Sequence, residues 1–150
     1  MLIEGGASGA LKPIAAVQLP DGTWGALRVS ADVQYRTDAI GASSRFHLVS
    51  AAGANAGQIK AAPGRVIGWQ LANTTAAWKF VKLHNLASGV TAGANVFLVI
   101  PIPPNGKSEV TVEGGIAFSV GIGITVLAGA ADTDTTVVAA NDVVGSIMFA

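Results

Sequence analysis

At 150 residues the chain has room for one domain with a sizeable core, and nine Lys plus Arg balance nine Asp plus Glu. That zero formal charge argues against a nucleic-acid binder, which draws its affinity from a basic stripe, and against an anionic membrane surface as partner. The lack of any cysteine excludes disulfides, thiolate catalysis and Cys-ligated metals.

Charged residues make up only 12% of the chain, and the mean hydropathy is +0.53. Sparse charge at zero net charge favours association, so the chain reads as a protein that works assembled. Its first residues, MLIEGGASGALKP, carry neither a basic leader nor a long apolar run, so no secretory signal is expected.

Residues 1–13 are rich in Gly and Ala without a sustained pattern and read as a tail. Residues 14–19 and 23–30 read as two strands around Pro20-Asp21-Gly22, because Asp-Gly between apolar runs is a strong hairpin signal. A lone hairpin is marginal and must lean on something. Residues 31–44 hold few large apolar side chains and read as an extended arm. The division is therefore an N-terminal arm and hairpin over 1–42 and a main block over 43–150.

Within the block, strands are expected at 45–50, 58–61, 65–71, 77–85, 95–102, 107–112 and 143–149, with Gly/Pro/Asn turns between them. NVFLVIPI at 95–102 is apolar on both faces and is expected inside the sheet stack. Residues 114–131 form an uncharged run of 18, the length at which a membrane-spanning helix is considered. Ile116, Phe118, Val120, Ile122, Ile124 and Val126, however, recur at every second position, which is a strand with one buried face. Small residues between them, Gly121 and Gly123 above all, flatten the other face so that a backbone or a neighbouring subunit can approach. About eight strands without an amphipathic helix predict an all-β fold, a β-sandwich of jelly-roll type.

Few groups point to chemistry. His47 and His84 lie on separate strands without the third partner a triad needs, and read as strand histidines at a surface or interface. Asp132, Asp134, Asn141 and Asp142 share one loop but lack the spacing and ligand count of a calcium site. Gly121-x-Gly123 is followed by more strand, not by the helix N-terminus that a phosphate requires. Asn73-Thr74-Thr75 matches a glycosylation sequon and reads as a turn. Trp69, Trp78 and Phe80 read as core side chains, whereas Trp24 lies outside the main block and suits packing against a neighbour. No catalytic residue, cofactor or metal is assigned.

Five features together resemble a family of tailed-bacteriophage virion proteins. They are Pro63-Gly64-Arg65, Asn73-Thr74, the KLHN segment at 82–85, GGIAFSVGI at 114–122 and ADTDTT at 131–136, followed by a short terminal strand. The likeness spans about two thirds of the chain, and His84 stands where the pattern has Tyr. It implies a jelly-roll structural module of the virion, made in the host bacterial cytoplasm. Such modules serve as head-decoration (cement) proteins, with related ones in tail, neck, baseplate and fibre. The expectation is a non-enzymatic homotrimer on the capsid exterior that binds the major capsid protein, without nucleic acid, membrane or cofactor. Trp24, Arg28 and Tyr35 of the arm, with Gly121 and Gly123 of the block, are the expected assembly contacts.

Overall fold

The computed structural model describes residues 42–150 in full, together with the backbone of two short strands, β1 (Ala16–Gln18) and β2 (Trp24–Ala26). The chain divides into two compact units, Met1–Thr37 and Asp38–Ala150. In the first unit β1 and β2 pair antiparallel, Val17 opposite Gly25, on either side of the Asp-Gly segment.

The second unit contains eight strands: β3 (Ser44–Val49), β4 (Gly57–Lys60), β5 (Gly64–Asn73), β6 (Lys79–His84), β7 (Val96–Ile102), β8 (Lys107–Phe118), β9 (Ile122–Leu127) and β10 (Val143–Phe149). They form two four-stranded antiparallel sheets, in the orders β3-β10-β5-β8 and β4-β9-β6-β7. The pairing is nested: β3 with β10, β4 with β9, β5 with β8 and β6 with β7. Successive pairs alternate between the sheets, so the chain behaves as a doubled ribbon wrapped around one core.

Strand alternation builds that core. Val66, Trp69 and Leu71 of β5 and Ile147 of β10 face Val81 and Leu83 of β6 and Ile122, Ile124 and Val126 of β9, all buried. Each aliphatic side chain buried there contributes about 1.5–3 kcal/mol relative to exposure. The all-β sandwich expected from the sequence is the fold observed.

Two expectations are corrected. The alternating run at 114–126 is not one strand: β8 ends at Phe118 in the first sheet and β9 starts at Ile122 in the second. The chain crosses between sheets at residues 119–121, where Val120 is left exposed. The period of two survives the crossing because both ends turn their even-numbered residues, Ile116 and Phe118 on one side and Ile122, Ile124 and Val126 on the other, into the same core. Nor is the 107–112 strand separate from the glycine-rich run; they join in one twelve-residue strand. Gly114 and Gly115, at φ of 73° and 68°, form a bulge there that the Arg65 guanidinium holds through the Gly114 carbonyl at 2.7 Å.

The second correction concerns β7, which lies at an edge of its sheet and not inside the stack. Leu98, Ile100 and Ile102 turn inward, while Phe97 and Pro101 are exposed. Pro101 has no N–H to give a second neighbour, so this strand suits an edge.

Candidate functional site

The outer face of the second sheet departs from what a two-layer sandwich predicts. On β6, Val81 and Leu83 face the core, which turns Phe80, Lys82 and His84 outward; on β9, Gly123, Thr125 and Leu127 turn the same way. That face should meet water, yet Lys82, His84, Thr125 and Leu127 are all fully buried. Their cover is two loops, residues 85–95 between β6 and β7 and residues 128–142 between β9 and β10. Val90 of the first loop lies directly over Gly123, and Gly93 packs against the Thr133 carbonyl and the Thr135 methyl of the second. The loops therefore meet each other above the sheet.

Polar bonds hold the cover down. His84 Nδ1 faces the carbonyls of Ala94 and Asn95, each at 3.1 Å, and Nε2 lies 2.9 Å from Thr125 Oγ1. Two carbonyls can only accept, so Nδ1 carries the proton and the Thr125 hydroxyl donates to Nε2. Burial pushes the His84 pKa below 6.5, opposed by its two backbone carbonyl partners and assisted by the nearby Lys82 charge. The Lys82 ammonium donates to the Ala131 carbonyl and pins the second loop.

Aspartates order that loop from within. Asp134 accepts from the amides of Gly129 and Thr136 and from the Thr136 hydroxyl, at 3.0, 3.2 and 2.7 Å. The Thr136 hydroxyl bond is the main cause holding the Asp134 carboxyl below its ordinary value. Asp142 pairs with Lys79 at 2.9 Å and caps the Ala139 amide, and the Lys79 bond comes first among the causes that lower its pKa.

Chemically this is a closed clip. Among the described residues no buried side-chain nitrogen or oxygen lacks a partner, and no three metal-ligating side chains converge. Asp134 is occupied by three donors, and an internal ammonium already serves the Ala131 carbonyl. No helix among the described residues is long and apolar enough to cross a membrane.

Among the expected assembly contacts, Gly121 and Gly123 are buried within the unit. A Cβ at Gly121 would stand 2.6 Å from the Leu86 carbonyl oxygen and 2.9 Å from that of Lys60, so the close approach it allows is intramolecular. Only the backbone of Trp24 is described, and Arg28 and Tyr35 lie outside the described residues.

The histidines part company. His47 is exposed, but His84 is not at a surface: the two loops bury it. The aromatics also divide, because Trp69 is buried with its indole N–H on Ser108 Oγ at 3.0 Å, whereas Trp78 is half-exposed and stacks on Phe80. Asn73 does make a turn. Its Oδ1 accepts from the Thr75 amide at 2.9 Å, and its amide nitrogen donates to Ala77, Ile102 and Pro103 carbonyls, which leaves nothing free for a glycan.

Nothing local in the sequence marks Lys82 or Thr125 as buried. Alternation alone places them on a wet face, and the only available signal was the length of the two flanking loops. Comparison with protein-family models, curated proteins and solved structures gives no match to this chain.

Proposed function

We propose that the chain is a non-enzymatic structural protein of a tailed-bacteriophage virion, a capsid decoration (cement) protein that binds the major capsid protein lattice and stabilises the head. The observation that carries this reading is the nested strand order, which is the arrangement expected of a jelly roll. It agrees with the fold that the motif resemblance implies. The clip over the second sheet supports a mechanical role, because His84, Lys82 and Asp134 spend their hydrogen bonds on holding loops still. A rigid block with sparse charge loses little entropy on docking and carries little polar surface to desolvate. Copies associate with one another and with the shell on the capsid exterior.

A second reading is favoured by one observation. Trp78 is half-exposed and stacked on Phe80, with ring centroids 6.5 Å apart, a platform suited to a host-surface glycan on a tail, neck, baseplate or fibre module.

Quantitative mass spectrometry and immunogold labelling of purified particles test both. A copy number comparable to that of the major shell protein, with label on the head, is expected. Label confined to the tail would support the second reading, and absence from particles would overturn both.

A further inference from the structure

Each sheet of the sandwich ends in two strands whose outer edges have no partner among the described residues, and three of these four edges are blunted. On β8 the Gly114–Gly115 bulge breaks the ladder, and Lys107 and Glu109 form an exposed ion pair at 3.1 Å. On β7 Pro101 lacks an amide donor, and the register slips beside His84. β4 is only four residues long, with a slip between Gln58 and Lys60. β3 has none of these devices except one charge, Arg45. It runs six residues in unbroken register against β10, from Ser44 opposite Phe149 to Val49 opposite Val144, without Gly or Pro.

We propose that the outer edge of β3, which has no partner among the described residues, is a self-association surface, on which β3 of a second copy pairs antiparallel about a twofold axis centred on His47. The hydrogen-bond phase sets this register. The Ser50 amide donates to the Val143 carbonyl at 2.9 Å, so by antiparallel alternation the backbone groups of residues 44, 46 and 48 face β10. Those of Arg45, His47 and Val49 face outward.

Pairing about His47 sets His47 opposite its counterpart and Arg45 opposite Val49 of the second copy, each pair exchanging both backbone hydrogen bonds. On the inner face the same register sets half-buried Phe46 opposite Leu48 of the second copy, so the two apolar cores become continuous. No Arg faces an Arg. Zero net charge and few charged side chains remove the long-range repulsion between identical copies. A twofold contact also closes on itself and consumes the exposed edge, which a non-closing contact would not. The inference rests on the self-association in the proposed function and not on the capsid, and its symmetry differs from the homotrimer that the resemblance implies.

The cysteine-free chain allows a register-specific test in the full-length protein. Under mild oxidation His47→Cys should form a covalent dimer, since Cα atoms of a hydrogen-bonded pair lie about 5.5 Å apart, within disulfide range. Arg45→Cys alone should not, while a mixture of Arg45→Cys and Val49→Cys should. Val49→Pro removes the outward donor of each copy without touching the β10 ladder, so the twofold dimer loses two hydrogen bonds and in sedimentation should weaken by about ten- to a hundredfold. Equal cross-linking of Arg45→Cys and His47→Cys, or an oligomer that forms without the 45/49 pattern, overturns the edge while leaving self-association standing. A wild-type chain that is monomeric at every concentration overturns both. If Val49→Pro does not fold, the cysteine pattern decides alone.

Discussion

His84 and Thr125 face each other across β6 and β9, with Nε2 2.9 Å from Oγ1, both fully buried on a sheet face that points away from the core. The sandwich therefore carries a third layer made of loop, and this one side-chain bond lies beneath it. Thr125→Val keeps the shape and removes the only donor to Nε2. A buried acceptor left unpaired costs about 1–3 kcal/mol. Urea unfolding should read that loss, and the double variant Thr125→Val with His84→Leu should recover part of it.

Acid should find the same site. Burial lowers the His84 pKa below 6.5 in the folded chain. Below that pH the unfolded chain takes up a proton that the folded site resists, so the free energy of unfolding decreases as pH falls. The stabilising difference is complete above about 6.5, declines as pH drops towards the folded value, and is flat below it. Unfolding midpoints measured from about pH 7.5 to about pH 5 should fall for the wild type. His84→Gln should flatten that slope, and an unchanged slope would assign it to other groups.

Much of the sandwich is legible in the alternation of single segments. RFHLVS at β3 alternates in burial, VVGSIMF at β10 buries Val143 and Ile147, and the structure places strands at both. Where the reading fails, the cause is tertiary. The run through Ile116 and Ile124 keeps its period across a change of sheet, because both halves point into one core, so periodicity cannot reveal the break. Lys82 and His84 alternate with Val81 and Leu83 as solvent-facing residues do, and only the folding-over of two loops buries them. Pro101 was a local signal for the edge position of β7, outweighed by the apolar run around it.

Gly121 and Gly123 should differ in cost. At Gly121 an added methyl meets backbone on three sides: the Leu86 carbonyl, the Ala87 Cα at 2.8 Å and the Lys60 carbonyl. At Gly123 it meets the Val90 side chain on a loop, which can shift. Overpacking typically costs about 1–3 kcal/mol, so Gly121→Ala belongs at the upper end and Gly123→Ala at the lower. Gly123→Val should loosen the loop at 85–95 while the sandwich still folds. Neither glycine reaches the surface, so the oligomeric state at equal folded fraction should stay that of the wild type.

Lys82 separates loop order from global stability. Its side chain is wholly buried, and its one acceptor is the Ala131 carbonyl, in the loop that Asp134 organises. Keeping a cation there costs desolvation that one carbonyl offsets only in part, while its methylenes still pack under the loop. Lys82→Met retains the packing and deletes the charge, so the unfolding free energy should change by less than about 1 kcal/mol or rise. The Ala131 carbonyl then loses its donor, and the loop its tether to β6. Hydrogen exchange should accelerate at the amides of residues 128–136 and stay unchanged in β5 and β10, because local opening is governed by local bonds. Asp134→Asn should release the same amides by removing the acceptor shared by Gly129 and Thr136. If Lys82→Met instead unfolds the whole sandwich, the loop layer is part of the cooperative core and not a cover laid upon it.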